Sequence, residues 1–283
     1  MIILRVLILT ICILICRDTS AQKYEFGTIG FMTSYMGDIN PNNPFNYNGF
    51  GGGLFAKYNF NSTWAIRLGF DYLTLSGNDK NSNNSNQQQR NLSFNNHLSE
   101  LSLLTEFNFF KFSTKRKFRH FTPYLLGGLG IIKHDPFVYY SNNKIYLREL
   151  KVERNKQDQP INYSALAFVI PFGLGFKYKW KRNWGIGIEM NYRVALTDNI
   201  DNVSGYYPLT MSNSNTTLPR IDIINEDGTK RAFDNSDWLR IADPSTPNLS
   251  NKGTLRGDGK KWDGYMTTGI TLIYSIQNTK CTW

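Results

Sequence analysis

Histidine, cysteine and serine are the residue types that could support metal or nucleophilic chemistry in this chain. The 283-residue sequence has three cysteines and three histidines, and it contains no Cys-x-x-Cys or His-x-x-x-His pair that would support a zinc site. His97, His120 and His134 are predicted at strand ends or in turns, and none pairs with a serine in a recognisable motif. We therefore expect no catalytic site, no metal site and no cofactor, and an enzyme is the least favoured function class.

Two further motifs allow a chemical and a structural interpretation. Gly51–Gly53 is not followed by a predicted helix, which favours a strand bend over a phosphate-binding loop. Asp198 and Asp201, with neighbouring asparagines, could hold Ca²⁺ through oxygen ligands. A solvated turn is the favoured interpretation of this second motif.

The composition indicates a β-rich chain. Aromatic residues make up 14% and charged residues only 19%, whereas a soluble domain usually has about 25% charged residues. The polar content comes instead from Asn, Ser, Thr, Tyr and Gly, a set that favours strands over helices.

Residues 1–21 are predicted to be a secretory signal peptide that is cleaved before Gln22. A basic start and an apolar run are followed by the small residues Thr19 and Ala21, at −3 and −1 of the cleavage site. The apolar run is shorter than the ~20 residues that a membrane-anchor helix needs. A lipoprotein acylated at Cys16 is a less favoured alternative, because the residue before it is bulky. The mature domain is then 22–283.

Alternation of apolar and polar residues predicts the main elements of the mature chain. Between Trp64 and Tyr72 every large apolar residue falls on one face of a strand, and Arg67 falls on the other. No stretch reaches 18 apolar residues, which excludes transmembrane helices. The predicted strands are Glu25–Tyr35, Phe50–Phe60, Trp64–Tyr72, His97–Phe110, Phe121–Lys133, Phe168–Tyr178, Trp184–Val194 and Met266–Ile276.

The connections between these strands alternate between long and short. In chain order they are 36–49, 61–63, 77–96, 111–120, 134–164, 181–183 and 197–261. Outer-membrane barrels have this rhythm, because their external loops are long and their periplasmic turns are short. We therefore predict an all-β fold, an eight-stranded antiparallel up-and-down transmembrane β-barrel in the outer membrane of a Gram-negative bacterium.

Aromatic residues support the barrel independently of the loop lengths. Phe60 and Trp64 flank one three-residue turn, and Trp180 and Trp184 flank another. All four share the apolar face, where the aromatic belt of a membrane barrel lies. Aromatic packing in a soluble core is the alternative interpretation.

The face opposite the lipid has balanced charges. An eight-stranded barrel is narrow enough for side chains to fill its lumen, and buried charges must be paired. We therefore predict a paired network that closes the lumen, with a selective pore as the alternative. Its members are Lys57, Arg67, Asp71, Glu100, Glu106, Lys177, Glu189 and Arg193.

Two connections have unusual composition. Residues 77–96 form a low-complexity segment rich in Asn, Ser and Gln, which we expect to be a mobile external loop. The turn at 111–120 is strongly basic, and the chain has a formal net charge of +10. Outer-membrane lipids or an acidic periplasmic protein suit such a turn better than nucleic acid does; a solvated positive rim is the alternative. The candidate contact residues are Lys111, Lys115, Arg116, Lys117, Phe118 and Arg119.

Three short motifs together resemble a known family. They are Tyr35–Pro41, Thr197–Tyr207 and Arg256–Asp258, the last leading to Trp262. They are similar to those of the PorG-like outer-membrane barrels of Bacteroidota, a family associated with type IX protein secretion and gliding motility. The resemblance implies a non-enzymatic barrel that contacts the periplasmic ring proteins of the secretion machinery. Alternation and loop rhythm predict the barrel without it, whereas the secretion role depends on it alone.

The alternative function is a stand-alone structural or adhesion barrel of the small OmpA/OmpX-like type, whose external loops carry the binding. No small-molecule substrate is indicated by the sequence.

Overall fold

The computed structural model describes residues 24–40, 43–111, 120–181, 183–209, 218–224, 229–245, 247 and 251–276. The predicted signal peptide, most of the basic turn and the C-terminal tail lie outside these residues. Within the described part of the chain, no helix is long and apolar enough to cross a bilayer.

Twelve strands are present in the described residues, and eight long ones form a closed barrel. In chain order they are β1 (Tyr24–Met36), β2 (Gly49–Asn59), β3 (Trp64–Asn78), β4 (Ser93–Asn108), β5 (Phe121–Lys133), β6 (Phe137–Tyr140), β7 (Asn143–Tyr146), β8 (Leu166–Lys179), β9 (Trp184–Ala195), β10 (Asp222–Ile224), β11 (Lys230–Ala232) and β12 (Gly264–Ile276). The barrel order is β1-β2-β3-β4-β5-β8-β9-β12, every pair is antiparallel, and β12 pairs with β1 to close the ring. The predicted fold class is confirmed.

Burial follows the predicted alternation along each barrel strand. In β3, Leu68 and Phe70 are exposed on the outer surface, while Ala65 and Arg67 are buried inside. The belt aromatics Phe60, Trp64, Trp180 and Trp184 are 41% to 64% exposed. An apolar, aromatic outer surface is what a lipid environment requires of a barrel.

The two ends of the barrel differ in the way that the loop rhythm predicts. One end has the turns 60–63, 109–120 and 180–183, and the paired residues Tyr24 and Ile276 lie there as well. The long connections all lie at the other end. We call these the short-turn end and the long-loop end.

Strands β3 and β4 extend further toward the long-loop end than predicted. They pair as far as Asn78 and Ser93, so the connection between them is 79–92 instead of 77–96. The extension is stabilised because Leu75 and Phe94 are buried in an apolar cluster at the barrel mouth. The connection, which we expected to be a mobile external loop, holds a 3₁₀ turn at Asp79–Asn81 and helix α1 (Ser85–Arg90).

The two longest connections also contain regular structure. They carry the hairpins β6–β7 and β10–β11, helix α2 (Leu147–Leu150) and helix α3 (Asn235–Ala242). Helix α3 begins at a capping box formed by Asp234 and Asp237. Their apolar side chains form a separate core, which we call the cap core: Ile145, Leu147, Leu150, Val152, Ile223, Phe233, Trp238, Leu239, Ile241 and Ala242.

Cysteine labelling in intact cells tests which end of the barrel faces outward. In a Cys281→Ser background, we expect Asn86→Cys to react with a membrane-impermeant maleimide and Ser62→Cys not to react. Both positions should react after the outer membrane is permeabilised, which is the control for reactivity. Labelling of Ser62→Cys alone in intact cells would reverse the orientation.

Candidate functional site

The lumen is closed by three layers of buried ion pairs, and the first lies near the short-turn end. Lys57 Nζ lies 2.8 Å from Glu25 Oε2 and 3.1 Å from Glu106 Oε2. Lys177 Nζ binds the other oxygen of Glu106. One carboxylate therefore joins two lysines from opposite sides of the barrel.

The second layer is centred on Glu189. Arg67 Nη1 lies 2.6 Å from Glu189 Oε1, and the Tyr124 hydroxyl donates to the same oxygen at 2.9 Å. Asn191 donates to Oε2 at 3.1 Å. The guanidinium carbon of Arg67 also lies 3.8 Å from the centre of the Phe55 ring, so the cation is satisfied by both a carboxylate and an aromatic face.

The third layer is centred on Arg193. Its Nε lies 2.7 Å from Glu100 Oε2 and its Nη2 lies 3.1 Å from Asp71 Oδ2. Nη1 donates to Thr267 Oγ1 at 2.6 Å, and the Tyr265 hydroxyl donates to Glu100 at 2.7 Å. The planar guanidinium thus binds three side chains in one plane, which suits its fixed donor geometry.

A glycine makes room for this third layer. A Cβ atom at Gly53 would lie 1.8 Å from Asp71 Oδ1, so any larger residue would displace that carboxylate. Gly53 belongs to β2 and not to a phosphate-binding turn.

All eight charged residues that were predicted to face the lumen are buried there, together with two that were not predicted. Glu25 and Lys179 are buried on the same inner face. Both follow the alternation of their strands: Glu25 comes next to the outward-facing Tyr24, and Lys179 comes two residues after the inward-facing Lys177. The buried charges of the described barrel strands are then five cations and five anions: Lys57, Arg67, Lys177, Lys179, Arg193, Glu25, Asp71, Glu100, Glu106 and Glu189.

Apolar side chains fill the lumen between the third layer and the long-loop end. Tyr35 and Phe94 meet edge to face with ring centres 4.8 Å apart. Leu73, Leu98 and Ile132 are fully buried beside them. The long-loop end of the lumen is therefore filled by apolar side chains.

Three carboxylates meet at the mouth of the barrel. The Tyr35 hydroxyl lies 2.6 Å from Asp201 Oδ2 and 2.7 Å from Asp263 Oδ1. Asp38 accepts from the backbone N–H of Asp258. Burial together with the charge of Asp258 raises the pKa of Asp38 to about 7, and burial together with the charge of Asp38 raises the pKa of Asp263 to about 7. The three side chains are therefore held together in part by retained protons.

This carboxylate cluster joins the three motifs on which the family resemblance rests. Tyr35 and Asp38 come from the first motif and Asp201 from the second. Asp258 comes from the third, and Arg256 N donates to Gly205 O at 2.8 Å. Motifs that are far apart in the sequence thus form one contact at the long-loop end.

The structure does not bring Asp198 and Asp201 together as a pair of candidate Ca²⁺ ligands. The three carboxylates whose oxygens lie within 4.8 Å of one another are Asp38, Asp201 and Asp263, and Asp198 is not among them. That spacing would allow oxygen ligands to share one cation. Asp198 is half-buried nearby, and burial together with the negative charge of Asp263 raises its pKa to about 8.

Two of the three histidines, His97 and His134, contact aromatic rings in the described part of the chain. His97 lies on the outer surface, stacked at 6.2 Å on Tyr72. His134 is buried and stacks at 6.1 Å on Tyr163. Burial lowers the pKa of His134 to about 4, so this ring is neutral at physiological pH. Both residues fill structural positions.

The cap core is attached to the barrel mouth through polar contacts. Trp238 Nε1 donates to Leu150 O at 2.9 Å, which joins the two long connections. Arg256 Nε lies 3.2 Å from Glu153 Oε1, and its Nη1 donates to Ala242 O at 2.9 Å. The cap is therefore a folded layer fixed to the barrel, and the alternation of the strands gave no signal for it.

The candidate periplasmic contact lies at the short-turn end, after β4. Lys111 is exposed in the turn that follows β4. Lys115, Arg116, Lys117, Phe118 and Arg119 lie outside the described residues.

Comparison with protein-family models identifies the family of the chain. A model of the domain of unknown function DUF6089 matches residues 4–226. The chain belongs to this family. The match includes barrel strands β1 to β9 and ends within the last long connection. Comparison with curated protein sequences gives no match.

Several solved barrels are similar to this DUF6089 chain at low identity. Neisserial surface protein A (NspA) is 9% identical, with 92% of this chain and 100% of that chain covered and a TM-score of 0.40. The N-terminal β-barrel domain of Pseudomonas aeruginosa OprF is 10% identical, with 90% and 99% covered and a TM-score of 0.36. Ail of Yersinia pestis, solved in complex with a heparin analogue, is 10% identical, with 89% and 98% covered and a TM-score of 0.37.

Removal of the charge that joins two lysines tests the lumen network. We expect Glu106→Gln to lower the free energy of unfolding by roughly 3–5 kcal/mol, because Lys57 and Lys177 lose a shared buried partner. Urea unfolding of the refolded barrel in detergent measures this. Glu149→Gln, an exposed change in α2, is the matched control and should change stability by less than about 0.5 kcal/mol. Equal effects of the two variants would contradict a buried network.

The carboxylates at the mouth predict a pH dependence. A carboxyl whose pKa is raised in the folded state keeps its proton after the unfolded chain has lost it, so its contribution to stability falls as pH rises between about 4 and 8. We expect the unfolding midpoint to decline over this range, and the decline to be smaller in Asp198→Asn, which cannot ionise. Asp222→Asn, an exposed change in β10, should leave the slope unaltered. An unchanged slope in Asp198→Asn would contradict the raised pKa.

Proposed function

We propose that this DUF6089 chain is a non-enzymatic outer-membrane barrel of the stand-alone structural or adhesion type. In this role the lumen stays closed, and the external cap is the surface that binds. The observation that carries the proposal is the cap core, in which both of the longest connections pack around Trp238 and Leu150. Loops that only link strands have no need of a hydrophobic core of their own.

The closed lumen argues against transport. Each of the three ion-pair layers spans the bore, and Tyr35, Phe94 and Leu98 fill the space above them. An ion crossing the barrel would have to separate buried pairs, each of which costs several kcal/mol to break. The barrel therefore acts as an anchor, and function belongs to its ends.

The orientation follows from the lengths of the connections. In outer-membrane barrels the short turns face the periplasm and the long loops face outward. The cap and the carboxylate cluster would then lie outside the cell. The basic turn and the strand ends at Tyr24 and Ile276 would lie in the periplasm.

A second role is favoured by the family resemblance. The three motifs that carry it meet at the mouth, where the Tyr35 hydroxyl binds Asp201 and Asp258 N binds Asp38. A barrel of the type IX secretion machinery would hold this arrangement together and contact its periplasmic ring through the opposite end. The candidate surface there is the basic turn, from Lys111 onward.

Complementation of a gene deletion in the source bacterium separates the two roles. Two variants are compared with the wild-type protein: a cap variant, Leu150→Ala with Trp238→Ala, and a turn variant in which Lys115, Arg116, Lys117 and Phe118 are changed to Ser. The cap variant should lose about 3–5 kcal/mol per buried side chain in the cap, while the barrel ladders remain. We expect the cap variant to fail to restore cell adhesion and the turn variant to restore it.

Heat-modifiable migration of each variant in gels checks that the barrel is inserted. Adhesion that the cap variant restores fully would contradict the adhesion role. Loss of protein secretion on deletion, with reduced recovery of ring proteins by the turn variant alone, would favour the secretion role. Normal recovery from an inserted turn variant would contradict the partner contact at that turn.

A further inference from the structure

A polar cleft opens at the long-loop end, beside the carboxylate cluster. It lies between the segment that follows β1 and the segment that carries α1, and its volume is about 410 Å³. Small-molecule sites in proteins typically have volumes of about 300–1,000 Å³. The cleft is therefore large enough for a ligand of one or two sugar rings.

The chemistry of the cleft is unusually uniform. Of its twelve lining residues, eight are asparagines, and two of the other four are Ser82 and Gln87. None of the lining residues is ionisable, and Ile39 is their only large apolar side chain. We call this surface the amide cleft.

The walls of the amide cleft are fixed by contacts with each other and with the barrel. Arg90 forms an ion pair with the fully buried Asp79 at 2.7 Å, and its Nη2 donates to Asp38 O at 2.9 Å. Gln87 Nε2 donates to the same carbonyl at 3.1 Å. Asn40 Nδ2 donates to Tyr35 O at 2.8 Å. The two walls are thus joined to each other and to the barrel.

Several amide groups in the cleft remain available to a ligand. Asn78 and Asn84 use their carbonyl oxygens to cap the helical turns that follow them, which leaves their NH₂ groups without a partner in the described residues. The side chains of Asn46, Asn81 and Asn83 form no hydrogen bond within the described part of the chain. A carboxamide offers two donors and an acceptor, so the surface presents both kinds of group side by side.

This donor and acceptor pattern selects among ligand classes. Arg and Lys are the usual partners of phosphate and sulfate, and carboxylates supply most of the charge in Ca²⁺ sites; the lining has none of these residues. An apolar ligand would leave the amides unpaired, at a cost in desolvation. Neighbouring hydroxyl groups of a sugar, each both a donor and an acceptor, match the surface without any charge.

We propose that the amide cleft is a binding site for a neutral saccharide. The proposal rests on the proposed binding function of the long-loop end, and it names the ligand class for one part of that end. Because the walls are already joined, little ordering of the chain opposes binding. A single sugar unit held by neutral hydrogen bonds is expected to bind weakly, with a Kd on the order of 1 mM.

Glycan binding by the full-length barrel in nanodiscs tests the proposal. The probes are a panel of neutral oligosaccharides built from hexose, deoxyhexose and N-acetylhexosamine units, with sialylated and sulfated counterparts, read by ligand-observed NMR. We expect the wild-type protein to bind neutral members, and Asn81→Ala with Asn83→Ala to weaken that binding by at least tenfold. The matched control is Asn162→Ala with Asn235→Ala, two exposed asparagines outside the cleft, and it should bind as the wild type does.

Three outcomes would overturn the proposal: no binding of any neutral probe at 10 mM, unchanged binding by the Asn81/Asn83 variant, or binding of the charged probes only. Binding of free disaccharides would identify a soluble sugar as the source, and binding of immobilised polymers alone would identify a surface glycan. If no glycan binds but the cap variant still loses adhesion, the saccharide proposal is wrong and the proposed function stands. If the cap variant keeps adhesion and glycan binding still depends on Asn81 and Asn83, the adhesion role is wrong and the saccharide site stands.

Discussion

Closure of the backbone ladder is the constraint on which the other features depend. In a bilayer every strand N–H and C=O needs a partner in the protein, and the β1–β12 ladder supplies the last set without leaving an edge. Closing the ring with eight strands leaves a narrow bore that side chains must fill. Any ionisable residue on the inner face is then buried, so it needs an opposite charge within reach.

The buried charges are arranged so that each layer joins strands across the barrel. Glu106 on β4 binds lysines from β2 and β8, and Arg193 on β9 binds carboxylates from β3 and β4. Such pairs contribute little net stability, because desolvation offsets most of their attraction. Their effect is on specificity, since a strand that slipped by one residue would turn its inner charge into lipid.

The long-loop end extends this closed structure beyond the eight-stranded ring. Apolar side chains continue from the lumen into the mouth, and the carboxylate cluster joins the ends of β1 and β12 to the last long connection. The cap core then packs on top of this layer, held by Arg256 and Trp238. The binding surfaces proposed for the protein therefore rest on a rigid base, which lowers the entropy that a ligand must oppose.

Local periodicity determined most of the barrel. Alternation along Trp64–Tyr72 and the other strands defines which face meets lipid, so the strand number, the order of the loops and the inner position of Arg67 or Glu189 could be predicted from the sequence. Glu25 and Lys179 follow the same alternation, each between two large aromatic residues, but they stand at strand ends and were not predicted. The tertiary structure alone decided what the long connections do. Any two of Asp38, Asp201 and Asp263 are more than 60 residues apart in the sequence. The asparagines of the amide cleft come from two separate loops. No short-range pattern encodes such contacts, because they exist only when the closed barrel brings the ends of distant strands to one rim.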